Sequence, residues 1–164
     1  MVRDEEERIW MMTGDEGSMD EDGYLSITGR IKDIIIRGTF LHYTHCLFPG
    51  GENILPLEIE NVLFSHHAIM QASVVAIADE KYGEVVGAFI ERDPHAQHIP
   101  RVTREEVKAF VGKKLAHFKI PRYMFFLGED GIEGHWPVTA SGKIRKVELR
   151  VWGDKAVKSG RVTN

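Results

Sequence analysis

The sequence predicts an α+β domain: a small mixed sheet packed with helices and preceded by a β-hairpin. Three observations predict it. Two apolar runs of strand length, Ala72–Ala78 and Val85–Glu91, are joined by the polar link Asp79-Glu80-Lys81-Tyr82-Gly83-Glu84, which suits an antiparallel pair. Thr103, followed three residues later by Glu106, is a capping box that opens the helical spacing Val107, Phe110, Val111, Leu115. Finally, strands and helices mix without the regular strand–helix–strand beat of a parallel sheet.

The remaining elements follow in order. Asp20-Glu21-Asp22-Gly23 is turn chemistry, Tyr24–Thr28 alternates apolar and polar, and Ile31–Ile36 is rich in β-branched residues, so these two strands are expected to form the hairpin. Pro56 occupies a first helical position, and Ile59, Val62 and Leu63 recur at helical spacing as far as Ser65. His66-His67 then reads as a capping pair. A surface loop lies between His95 and Arg101, marked by Pro94 and Pro100. Pro121 is expected to stop the second helix, Arg122–Leu127 is a further strand, and Lys146–Val151 is a closing helical turn. From Gly153 to Asn164 the chain is polar and aperiodic, which predicts a flexible tail. Trp10, Trp136 and Trp152 read as packing anchors.

Bulk properties narrow the function classes. The 164 residues, 43% hydrophobic and 28% charged, fit one globular domain with a modest core. A net charge of -4 offers no basic field for a phosphate backbone, despite local Lys and Arg near 143–150, so no nucleic-acid partner is expected. The single cysteine, Cys46, excludes an internal disulfide and suits a reducing compartment. No apolar run reaches membrane-span length, and Met1-Val2-Arg3-Asp4-Glu5-Glu6-Glu7 is acidic where a signal peptide is apolar. A cytoplasmic or organelle-matrix location, without secretion, is the expectation. The ending Arg161-Val162-Thr163-Asn164 does not match the peroxisomal Ser-Lys-Leu address.

Four short segments carry candidate chemistry. In Thr13-Gly14-Asp15 a carboxylate follows a flexible glycine and could accept hydrogen bonds from vicinal hydroxyls; taken alone it reads as a simple turn. Gly29-Arg30-Ile31-Lys32-Asp33 sits at a bend between strands and alone reads as a solvated charged turn. Gly51-Glu52-Asn53-Ile54 precedes the first helix, with Gly51 permitting close backbone approach. Pro137-Val138-Thr139-Ala140-Ser141-Gly142-Lys143-Ile144 places a lysine on a short Ser-Gly loop, where it can deliver a mobile point charge to an oxyanion or phosphate. It lacks the glycine spacing of a P-loop.

Together, in this order, the four segments resemble the C-terminal portion of the acyl-CoA synthetase branch of the adenylate-forming, AMP-binding superfamily, over about Trp10 to Arg150. The resemblance implies an ATP-dependent acyl-CoA synthetase: carboxylate adenylation, then thioester formation with coenzyme A. It assigns Asp15 and Arg30 to nucleotide binding, Lys32 to the hinge on which the small domain turns, Gly51 to the thiol tunnel for coenzyme A, and Lys143 to catalysis at the carboxylate and α-phosphate. The implied co-substrates are ATP or AMP and coenzyme A, with Mg as the ATP counter-ion and nothing tightly bound to this chain. The implied partners are a large N-terminal AMP-binding domain and a small-molecule carboxylic acid.

On this reading residues 1–31 are the end of the large domain and 32–152 are the C-terminal domain, followed by the 153–164 tail. A chain without the large domain is expected to be inactive alone. The alternative is a non-catalytic binding module that retains the fold. One departure from the family pattern is Thr39–Gly50, which separates Gly38 from Gly51 where the family runs Gly-Gly-Glu-Asn unbroken. Its ends can be encoded as intron borders, and it reads as a retained intron translated in frame. It carries His42, His45 and Cys46, three zinc-type ligands without the fourth that a structural site wants, so no metal is assigned.

Overall fold

The computed structural model describes residues 2–38, 51–95 and 101–162. A short ladder of β1 (Val2–Arg3) and β2 (Ile9–Trp10) comes first, followed by an antiparallel hairpin of β3 (Asp15–Met19) and β4 (Leu25–Arg30). The hairpin turn is built by Asp20. Its Oδ1 accepts the amides of Asp22 (3.1 Å) and Tyr24 (2.8 Å), an Asx arrangement that substitutes for backbone pairing. The expected hairpin is thus present with a different partner: the strand after the turn pairs backward onto Asp15–Met19, not forward onto Ile31–Ile36. A 3-10 turn at Ile31–Asp33 separates β4 from β5 (Ile35–Arg37). The polar Asp15-Glu16-Gly17-Ser18 run has little β-propensity, which hides the true partner.

The main sheet is mixed and five-stranded. β6 (Glu52–Ile54) pairs antiparallel with β5, and β5 meets the start of the long β8 (Gly83–Arg92) at Arg37↔Gly83. β8 pairs antiparallel with β7 (Ile69–Asp79) from Ile69↔Arg92 to Asp79↔Gly83, and parallel with β9 (Tyr123–Phe126). Of the helices, α1 (Pro56–Phe64) and α2 (Arg104–Gly112) lie on one face, where Ile59, Leu63, Val107 and Val111 are buried with Val74, Val86, Ile90 and Phe126. α3 (Lys146–Lys158) lies on the other, with Leu149 and Ala156 buried against Val75, Ile77, Phe89 and Phe125. Residues 72–77 and 85–90 are therefore buried on both faces, with helices flanking the sheet on two sides. A strand covered on both faces reads as a continuous apolar run, as these two do.

The capping box forms in full. Thr103 Oγ1 accepts the Glu106 amide at 3.2 Å and Glu106 Oε2 accepts the Thr103 amide at 2.8 Å. α2 ends at Gly112, earlier than Pro121, and a 3-10 turn at His117–Lys119 leads into β9. The flexible tail expected from Gly153 is corrected: α3 continues to Lys158, and Gly153, Ala156 and Val162 are buried. Polar residues on the outer face mask the packed stripe, and Gly153 is a close-contact residue.

The segment Thr39–Gly50, with the intron reading and His42, His45 and Cys46, lies outside the described residues. Its flanks are informative. Arg37 and Glu52 are register partners, and a Cβ on Gly38 would lie 3.0 Å from Gly51 Cα. The flanks therefore stand side by side at the end of the β5–β6 ladder, where a direct Gly38-Gly51 link can close a tight turn. Deleting Thr39–Gly50 would leave Gly38-Gly51 as a two-residue hairpin loop, which glycine pairs fill well. Closing the shorter loop is expected to stabilise the fold by about 2 kcal/mol, raising Tm by roughly 4–8 °C in calorimetry. A lower Tm on deletion would make the segment an integral part of the fold.

Candidate functional site

Lys143 stands on a loop closed at its root by the bridge Val138↔Ile144 and by the Arg145 amide donating to Pro137 O at 2.7 Å. Inside it the Thr139 amide donates to Lys143 O (2.8 Å), the Gly142 amide to Thr139 O (2.9 Å), and the Lys143 amide to Thr139 Oγ1 (3.1 Å). Thr139 Oγ1 also lies 2.9 Å from Ser141 Oγ. Gly142 takes φ +80, a left-handed conformation that glycine adopts at no steric cost. Thr139, Ser141 and Gly142 therefore build the loop, and its product is an exposed Lys143 side chain.

Asp15 and Arg30 face each other across the hairpin as register partners, with Arg30 Nε 3.4 Å from Asp15 Oδ1. Thr13 Oγ1 accepts the Asp15 amide at 3.2 Å, and the Ile31 amide donates to Gly14 O at 2.9 Å, which locks the Thr13-Gly14-Asp15 turn to the end of β4. Both charged residues line a cleft of ≈ 300 Å³ between the hairpin and the N-termini of α1 and α3, with Asp33, Glu60 and Lys146. Lys146 is held: its Nζ lies 2.8 Å from Glu60 Oε1, which also accepts the Val74 amide at 2.8 Å. Lys32 is exposed in the 3-10 turn that joins the hairpin to the main sheet. Of the residues singled out from sequence, Asp15 and Arg30 are brought together, Lys32 sits one turn away, and Lys143 projects from a separate loop three residues before Lys146.

Gly51 is elsewhere, at the β5–β6 end of the sheet, where a Cβ would lie 3.2 Å from Ile36 Cγ2. Beside this end runs a groove of ≈ 400 Å³ lined by Arg37, Lys81, Lys108, His117 and Arg122, together with Tyr82 and Phe118. Arg37 packs its guanidinium 4.1 Å from the Tyr82 ring centroid and pairs with Glu52 at 3.3 Å; Arg122 pairs with Asp79 at 3.1 Å. The Lys81 ammonium at the Tyr82 hydroxyl, joined by the charges of Arg37 and Arg122, holds the phenol below its ordinary value. Such a field favours anions, and the rings offer a stacking face. Sequence reasoning missed this groove because its members come from the β5 end, the β7–β8 turn, α2 and the segment before β9, each unremarkable alone. Among the described residues no group of His, Cys, Asp and Glu could hold a metal ion, and no helix is long and apolar enough to cross a membrane.

Comparison with known proteins shows the family. A family model described as the AMP-binding enzyme C-terminal domain matches residues 58–143. The acyl-CoA ligase sidI of Beauveria bassiana is 47% identical over 96% of the chain, and its Aspergillus fumigatus counterpart is 49% identical over 92%. The chain spans about a quarter of the length of these relatives, 25% and 23%. Among solved structures, o-succinylbenzoate CoA synthetase from Bacillus subtilis, in complex with its acyl-adenylate intermediate, superposes with TM-score 0.68 at 33% identity, over 86% of this chain and 24% of that one. A Mycobacterium tuberculosis fatty acyl CoA synthetase gives TM-score 0.65 at 32% identity, over 89% and 24%.

Proposed function

The chain belongs to the AMP-binding enzyme C-terminal domain family, and on that basis we propose that it is the mobile C-terminal part of an ATP-dependent acyl-CoA synthetase. The observation that carries this reading is the presentation of Lys143 on a hydrogen-bonded, solvent-facing loop. In the first step a carboxylate oxygen bonds to the α-phosphorus of ATP and pyrophosphate leaves. Two anions must meet, and an ammonium placed between them offsets their repulsion and the charge that grows at phosphorus. Asp15 would accept the ribose hydroxyls, with Arg30 supporting the same nucleotide. Mg would accompany ATP as its counter-ion.

In the second step a thiol attacks the acyl carbon and AMP leaves. Lys143 has no task there, and the resemblance to the family implies that the small domain turns between the steps to present a different face, with Lys32 as the hinge. The basic, aromatic groove beside Gly38 and Gly51 supports coenzyme A as the thiol: its phosphates suit Arg37, Lys81 and Lys108, and its adenine suits Tyr82 or Phe118. Residues 1–31 would complete the large domain, a role supported by the exposed apolar side chains of Ile9, Trp10, Met11, Met12, Met19, Leu25 and Ile27. Such a surface exceeds what a free hairpin normally shows.

The test joins this chain to a large domain of the family and measures acid-dependent ATP–pyrophosphate exchange, then thioester formation, across a panel of carboxylic acids. Exchange is expected from the joined protein and not from the chain alone. Robust turnover by the chain alone, or no exchange with any acid from a folded, ATP-binding fusion, would overturn the proposal.

A further inference from the structure

Lysine ends a flexible four-carbon stem, so what the protein can fix is the root of the loop that carries it. The chain leaves the sheet after Leu127, whose amide still donates to Ile90 O at 3.0 Å, and the intervening turn buries only Ile132 before the loop begins. At its end Trp136 Nε1 donates to Glu91 Oε2 at 2.5 Å. Glu91 lies near the C-terminal end of β8 and shares the face of Phe89, because alternate residues on a strand point the same way. The Trp136 indole packs half-buried against the cluster that includes Phe89 and Leu149. Pro137 follows, buried, and accepts the Arg145 amide that closes the loop. One root of the loop is thus bonded to the central strand through Trp136, and the other is bonded to the first through Arg145.

We propose that the Trp136–Glu91 hydrogen bond sets where Lys143 is presented, so that Trp136 and Glu91 are positioning residues for adenylation, a role that rests on the part given to Lys143 above. Misplacement by about 1 Å can cost two orders of magnitude in a reaction that depends on position. An anchor of this kind is therefore a requirement of the chemistry.

The test reads loop order directly in the chain itself. Trypsin cuts after lysine, and a hydrogen-bonded loop must open first, so native-state cleavage at Lys143–Ile144 tracks the open population. Cleavage after Lys81, in the β7–β8 turn, serves as the internal reference. Trp136→Phe keeps a ring and removes the donor; Glu91→Ala removes the acceptor; Glu91→Gln keeps a carbonyl acceptor. Cleavage at Lys143 relative to Lys81 is expected to rise about ten-fold in the first two and to stay near wild type in the third. In the joined enzyme Trp136→Phe should slow adenylation about ten-fold and leave transfer from preformed acyl-adenylate unchanged.

An unchanged cleavage ratio in both Trp136→Phe and Glu91→Ala overturns the proposal. So does an equal rise at both sites, which is general loosening, or a Glu91→Gln variant as labile as Glu91→Ala. If Lys143→Ala leaves adenylation intact while the cleavage ratio responds as expected, the anchor stands and the catalytic part given to Lys143 falls.

Discussion

Replacing Lys143 by alanine is expected to lower acyl-adenylate formation by about a hundred- to a thousand-fold, the range for removal of one preorganised charge-stabilising group, in this chain joined to a large domain. Transfer from preformed acyl-adenylate to the thiol is expected to stay within a few-fold of wild type. The asymmetry follows from where charge develops. Adenylation brings a carboxylate against a phosphate, and an ammonium between them is worth far more once the closed domains exclude water than it is on the exposed loop of the free chain. Thiol transfer breaks the acyl C–O bond, forms no bond at phosphorus and brings no second anion against the phosphate, so it places no such demand. Because the Lys143 side chain is exposed and the loop is held by backbone bonds and by Thr139 Oγ1, its truncation leaves the fold intact. Pyrophosphate exchange and single-turnover thioester formation separate the two half-reactions. Equal losses in both would assign Lys143 a structural task.

What could be read from the sequence follows from how local each signal is. The Thr103/Glu106 box and the runs 72–78 and 85–91 are specified by neighbours within a few residues, and each appears as expected. The Thr139–Lys143 loop is local in the same way. Asp15 and Arg30 were singled out as separate segments, but their pairing needs β3 against β4, and Asp15–Met19 carries no strand pattern to announce it. The groove of Arg37, Lys81, Lys108, His117 and Arg122 is wholly tertiary, and no spacing rule connects those positions. Trp136 read correctly as an anchor. What it anchors to, Glu91, lies 45 residues away and is invisible without the sheet. The stretch from Gly153 is polar and aperiodic and so predicts a tail, but α3 runs on to Lys158 and Gly153 marks close packing that only the sheet reveals.

That packing makes Gly153→Val the substitution with the largest expected loss of stability. A Cβ on Gly153 would lie 2.4 Å from Ile77 Cδ1 and 3.3 Å from Phe125 Cζ. Ile77 is fully buried, and it has nowhere to retreat, since a Cβ on Gly87 of the neighbouring strand would meet Ile77 Cγ1 at the same 2.4 Å. The isoleucine is wedged between two glycines, one on α3 and one on β8, above Phe125. Replacing glycine by valine in a helix gains only about 0.3–0.5 kcal/mol of propensity. Overpacking a dense core costs about 1–3 kcal/mol, occasionally more, and a β-branched side chain against an immobile neighbour belongs at the upper end. The net loss is expected to be about 2–3 kcal/mol, a fall in Tm of roughly 4–12 °C by calorimetry. Shortening the obstacle provides the check: in the Ile77→Ala background the same Gly153→Val change should cost at least about 1 kcal/mol less, a coupling expected only of residues in contact. A silent Gly153→Val would mean that the chain beyond Gly153 does not pack on the sheet, whereas a loss relieved by Ile77→Ala places α3 against β7 as the second covering layer that completes the core.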